Sequence, residues 1–141
     1  MSSSKLISEI FDDFVKAENK EGKIAVLRKW DHPTFRLFFE YLYNPKIVFD
    51  VSIPKYRPAK EPAGLNFTYI DTEIPKLYRF IKNHPQRIEL RPEKLTNLLC
   101  IVLESLHKDE AEILVNLLNK DLKIKYLSPK LVKEAFPGIN I

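Results

Sequence analysis

The chain has 141 residues, 45% hydrophobic and 30% charged, the composition of one globular domain with a single core. Its 23 Lys+Arg against 19 Asp+Glu leave +4 and a pI near 9.1, which permits a polyanionic partner yet lies far from the charge density of a basic tail. One cysteine excludes an internal disulfide and three glycines exclude the usual phosphate-binding loops; with no signal peptide or bilayer-length apolar stretch in view, a reducing cytoplasm and no membrane partner are expected.

Ile7, Ile10, Phe11 and Phe14 follow the i, i+3, i+4, i+7 spacing of an amphipathic helix, with Asp12, Asp13 and Lys16 on the other side. A second helix carries Ile24, Leu27 and Trp30 after a turn at Asn19 to Gly22. Asp31 is the expected cap and Pro33 the first turn of a third helix, which runs to Tyr43, buries Phe35, Phe38, Phe39 and Leu42, and ends at Pro45. Between Lys46 and Thr72 the helical period vanishes, and Pro54, Pro58 and Pro62 remove N–H donors at intervals no helix tolerates. This Pro-rich irregular excursion at 46–72 is either a long ordered loop or a short hairpin pairing Ile47 to Ile53 with Phe67, Tyr69 and Ile70.

Helix resumes with Ile74, Leu77, Tyr78 and Ile81 and stops near His84 and Pro85. Leu95 to Leu106 is apolar nearly all round, which predicts the central buried helix. Asp109, Glu110 and Glu112 suit the positive end of the next helix, whose inner face is Leu114, Val115, Leu117 and Leu118. A last short helix has Ser128 as cap and Pro129 as first residue, and stops at Ala135 or Phe136 because Pro137 and Gly138 follow. The expectation is an all-α single domain of about six or seven helices around the buried helix at 95–106.

His32, His84 and His107 stand apart from one another and from Cys100, without the short spacings of zinc ligands. Cys100 lies in the most apolar helix, where a thiol is a small core filler rather than a nucleophile. The carboxylate pairs Asp12–Asp13 and Asp109–Glu110 fall on helix exteriors or in a first turn, where solvation and capping account for them. No catalytic residue, cofactor site or metal site is identified, and the chain is not expected to be an enzyme.

Basic residues concentrate in three places: Lys46, Lys55, Arg57 and Lys60; Lys76, Arg79, Lys82, Arg87, Arg91 and Lys94; and Lys120, Lys123, Lys125, Lys130 and Lys133. All three fall at loops or helix ends, where cations and backbone N–H groups can meet phosphates together, although a solvated surface accounts for the same runs. Aromatic residues interleave with them at Tyr43, Tyr56, Phe67, Tyr69, Tyr78 and Tyr126. Of these, Tyr56 and Tyr126, flanked by basic residues, are the ones expected to be exposed and able to stack on bases.

The run Asn119-Lys120-Asp121-Leu122-Lys123-Ile124, followed by Ser128-Pro129-Lys130-Leu131-Val132-Lys133-Glu134-Ala135-Phe136-Pro137-Gly138-Ile139, resembles the end of the N-terminal DNA-binding domain of ATP-dependent DNA ligases of T-even-like phages. The chain also resembles a group of small proteins of T4-like cyanophages, through Leu103 to His107 and the closing Glu134-Ala135-Phe136-Pro137, which implies a phage origin but no activity. Two departures accompany the ligase likeness. No Asp-Gly dipeptide occurs, so the Lys-x-Asp-Gly motif of the adenylated lysine is missing and self-contained ligation is excluded. The glycine that follows the position of Ile124 in the ligase pattern is replaced by Lys125, Tyr126 and Leu127, one residue longer.

The resemblance implies a non-catalytic module docking on double-stranded DNA through phosphate contacts from Lys120, Lys123, Lys125, Tyr126, Ser128, Lys130 and Lys133. Neutralising about four phosphates would give a slope of about −3.6 for log K against log salt. The alternative is a protein-interaction adaptor that keeps the scaffold, with the Pro-rich loop contacting a phage or host replication protein.

Overall fold

Asn19, His32, His107 and Ser128 each place a side-chain acceptor where a helix begins. Asn19 Oδ1 accepts from the Gly22 N–H at 2.8 Å, His32 Nδ1 from Thr34 at 3.1 Å, His107 Nδ1 from Asp109 at 3.1 Å and Ser128 Oγ from Leu131 at 3.2 Å, so an orphan donor of each first turn is satisfied. The chain is described here by a computed structural model covering residues 6–57, 69–84 and 91–141. Its helices are α1 (Ile7–Lys16), α2 (Lys20–Lys29), α3 (Pro33–Tyr43), α4 (Ile70–Glu73), a 3-10 helix (Ile74–Phe80), α5 (Pro92–Glu104), α6 (Lys108–Leu118) and α7 (Pro129–Ala135). The described residues form an all-helical fold around one hydrophobic core.

α1 buries Ile7, Ile10, Phe11 and Phe14, as its spacing predicts. α3 contributes Phe35, Phe38 and Phe39, whose rings meet Phe11 at centroid distances of 5.8 to 6.1 Å, and Phe136 closes the cluster against Phe35 and Phe39 at 6.0 and 5.9 Å. Each such ring contributes roughly 1.5–3 kcal/mol by leaving water, and the last turn of the chain is thereby tied to its first helix. After α7, Pro137 and Gly138 (φ +88°) make a turn closed by the Ile139 N–H on the Phe136 carbonyl, a backbone that only glycine adopts freely.

Four expectations need correction. Asp31 does not cap α3; it forms a two-pronged pair with Arg36 at 2.7 and 2.8 Å, which holds its carboxyl below the usual range, and His32 is the cap. The centre of the fold is α6 rather than the helix at 95–106. α6 packs against α1, α3, α4 and α5, whereas α5 buries Leu95, Leu99, Val102 and Leu103 and leaves Ile101 67% exposed. The carboxylates of α6 are not all solvated: Glu110 is 1% exposed, accepts the Ile70 N–H at 3.2 Å at the start of α4, and is also approached by the Ile7 N–H. Burial pushes its carboxyl up to about 7, with Asp71 and Glu9 reinforcing the rise.

The fourth correction concerns the excursion at 46–72. Residues 58–68 lie outside the described ones, so the hairpin partner Phe67 does too, as does Pro85 at the foreseen end of the next helix. Phe49 instead makes an antiparallel bridge with Ile81, through the Asp50 N–H on the Phe80 carbonyl and the Lys82 N–H on the Val48 carbonyl. Ile70 already opens α4, and the turns expected from Ile74 onward wind as a 3-10 helix ending at Phe80, leaving Ile81 extended for that bridge.

Candidate nucleic-acid interface

The corner between α6 and α7 is built without a glycine where the backbone calls for one. Asn116 and Leu117, near the end of α6, have their carbonyls closed by the N–H groups of Asp121 and Lys120, both at 2.9 Å, and Lys120 sits at φ +59° in the position glycine usually takes. Asp121 Oδ1 then accepts the Lys123 N–H at 3.1 Å with Lys123 at φ +58°, and a turn closed by the Leu127 N–H on the Ile124 carbonyl puts Tyr126 at φ +71°. Left-handed backbone at a non-glycine residue costs roughly 1–2 kcal/mol. Tyr126, which is not a glycine, thus holds this backbone at the exposed end of the turn. Buried Leu122 and the half-buried Ile124 and Leu127 anchor the corner to the core.

The seven residues expected at the interface divide by what their polar groups already do. Lys120 is withdrawn from it: its ammonium donates to the carbonyls of Asn44 and Ile47 at 2.5 and 2.6 Å, at the far end of α3, and burial lowers its pKa. Ser128 spends its oxygen as the cap of α7; Pro129 has no N–H and Val132 donates to the Ser128 carbonyl, so the start of α7 keeps at most the Lys130 N–H for a phosphate. Lys123, Lys125, Lys130 and Lys133 are exposed, and the ammonium groups of Lys123, Lys125 and Lys130 make no hydrogen bond or ion pair among the described residues. Tyr126 is 57% exposed. Tyr56, expected to be its counterpart, is half-buried instead, and burial raises its hydroxyl pKa.

Tyr126, Ser128 and Lys130 line a groove of about 550 Å³ whose other wall comes from the turn between α1 and α2 and the start of α2. There the structure adds residues that sequence reasoning missed: Glu18, Asn19, Lys20, Lys23 and, from α7, Glu134. Lys20 pairs with Glu134 at 2.8 Å across the groove. Lys23 is 7% exposed, and its ammonium donates to the carbonyls of Phe14, Val15 and Ala17 at 3.2, 3.3 and 2.5 Å while lying 4.7 Å from the centre of the Tyr126 ring. It caps the C-terminus of α1 and stiffens one side of the tyrosine at the same time. Lys125 lies 5.2 Å from the same ring with no other partner. No local signal marks these residues, because Lys20 and Glu134 are 114 positions apart.

Among the described residues no three His, Cys, Asp or Glu side chains are arranged to hold a metal ion, and no helix is long and apolar enough to cross a membrane. Residues 10–124 match a family of unknown function, DUF6433. The chain belongs to this family. The matched span takes in the first wall of the groove together with Lys120 and Lys123, and ends before Lys125, Tyr126, Ser128, Lys130 and Lys133. No curated protein and no solved structure matches this DUF6433 chain.

Proposed function

We propose that this protein is a non-catalytic helical module that docks on double-stranded DNA through backbone phosphates, with little sequence preference, by way of the corner between α6 and α7. The observation that carries the reading is the division of labour among its cations. Lys23, Arg28 and Lys120 are committed to carbonyls and Lys20 to Glu134, whereas Lys123, Lys125 and Lys130 are exposed along the corner segment, with Lys125 5.2 Å from the exposed Tyr126 ring and Lys130 lining the same groove as that tyrosine. Uncommitted ammonium groups on one corner are what phosphate contacts require, and such contacts position a protein without reading bases. The likeness of 119–124 and 128–139 to the DNA-binding domain of phage ligases supports the same face. On this reading the phosphates meet the exposed lysines of the corner, of which Lys130 also lines the groove together with Glu18 and Glu134.

Reversing Lys123, Lys125 and Lys130 to Glu tests this reading. Binding of a blunt duplex of random sequence should fall at least a hundredfold in an equilibrium titration, while the far-UV circular dichroism and the thermal midpoint stay as in the wild type. Unchanged duplex affinity in a folded triple variant rejects it. One observation favours the second reading, an adaptor for a phage or host replication protein: Ile101 stands 67% exposed on α5, beside the extended segment that reaches Cys100 Sγ through the Lys55 carbonyl. A stoichiometric partner retained after nuclease treatment, and lost on Ile101→Glu, would favour the adaptor.

A further inference from the structure

The groove beside Tyr126 has the makings of a site for one flat heteroaromatic ring with a phosphate attached. Its volume, about 550 Å³, is large enough for a small ligand, and it is open to solvent on one side. One wall offers the exposed Tyr126 ring, which is held from one side by Lys23, itself fixed by three carbonyls. Lys125 also lies 5.2 Å from this ring, exposed and with no hydrogen bond or ion pair among the described residues, so it can reorient toward a ligand at little cost. The two walls together supply edge groups of both kinds. Asn19 uses its Oδ1 on the Gly22 N–H, which turns its amide NH2 over to a ligand, and Ser128 accepts from Leu131 while keeping a hydroxyl hydrogen to give. Glu18 provides an acceptor, and Lys130 stands at the rim for an anion.

A π-face, paired donors and acceptors for a ring edge, and two displaceable ammonium groups form the recognition set of a nucleotide. We infer that the groove takes one unpaired nucleotide at the end of a DNA duplex, its base stacked on Tyr126 and its phosphate held by Lys125 and Lys130. The inference rests on the duplex-docking reading above and adds to it a preference for strand ends: the lysines of the corner hold the backbone of paired DNA up to its end, and the groove takes the first base that has no partner.

The test uses the full chain and three probes: a blunt duplex, the same duplex with a short single-stranded overhang carrying 2-aminopurine at its first unpaired position, and a free deoxynucleoside monophosphate as competitor. The wild type should bind the overhang duplex about tenfold more tightly than the blunt one and quench the 2-aminopurine, since stacking on an aromatic side chain is worth that much or more per base. Tyr126→Leu should lose both the preference and the quenching, and Tyr126→Phe should keep both. Equal wild-type affinity for blunt and overhang duplexes without quenching overturns the inference and leaves duplex docking standing. Failure to bind either DNA overturns both. Quenching that survives in Tyr126→Leu overturns the placement of the base. Competition by the free monophosphate at concentrations comparable with the DNA overturns the strand end as occupant in favour of a free nucleotide.

Discussion

Lys23, Arg28 and Lys120 each close a helix C-terminus from elsewhere in the chain. Lys23 reaches the last carbonyls of α1, Arg28 the carbonyls of Glu134 and Ala135 at 2.8 and 3.1 Å at the end of α7, and Lys120 the Asn44 carbonyl at the end of α3. In a chain with three glycines, cations replace the glycine turns that usually absorb these orphan carbonyls, and they add a favourable charge at the negative end of each helix. Lys23→Met keeps the aliphatic stem and removes the donors; it should lower unfolding free energy by about 1.5–3 kcal/mol, read as a drop in the urea midpoint. Glu110 offers a pH test. Its folded pKa, about 7, lies above its ordinary 4.5, so the native state holds more protons than the unfolded chain between those values, and stability should fall as pH rises through that window by an amount on the order of 3 kcal/mol. Glu110→Gln keeps an acceptor for the Ile70 N–H and should flatten that fall, measured by urea unfolding at pH 5 and pH 8; an equal fall in both proteins would assign it to other groups. At this scale the Ser128 cap was legible, because cap and donor lie three residues apart, whereas His32 and His107 were not expected as caps. The long-range ones were not: Arg28 and Ala135 are 107 positions apart.

Among the elements, the expected centre at 95–106 and the observed centre at α6 differ for a physical reason. α5 is richer in apolar residues, but a helix becomes central by having neighbours on several sides, and α6, with Ala111, Leu114, Leu117 and Leu118 facing inward, has α1, α3, α4 and α5 around it. A stretch apolar nearly all round did not separate Leu95, Leu99, Val102 and Leu103, which are buried, from Ile101, which faces out. Ile101→Lys should change stability by less than about 0.5 kcal/mol, whereas Leu99→Ala, two positions before it and fully buried, should cost about 2–5 kcal/mol, both measured by chemical denaturation. Similar costs at the two positions would mean that α5 is covered on both sides. The helices with strong spacing, α1, α3 and α7, matched their sequence patterns closely. The segment after α3 did not, because Phe49 pairs with Ile81 across 32 residues, a choice set by tertiary fit rather than by local turn chemistry.

Across the whole molecule, the net charge of +4 understates how unevenly the cations are used. Those near the α1–α2 turn and the ends of α3 and α7 work inside the fold, whereas the ammonium groups of Lys123, Lys125 and Lys130 make no hydrogen bond or ion pair among the described residues. The sequence located that corner, since its basic run and the Ser128 cap are contiguous. It did not locate the opposing wall at Asn19 to Lys23, which folding brings up from the other end of the chain. Loss of Lys120 from the contact set also changes the expected electrostatics, from about four neutralised phosphates to about three. The most direct measurement is therefore the affinity for a blunt random-sequence duplex as a function of salt. Docking by Lys123, Lys125 and Lys130 predicts that log K falls linearly with log salt with a slope of about −2.7. Duplex affinity independent of salt, or no duplex binding at low salt, would contradict it.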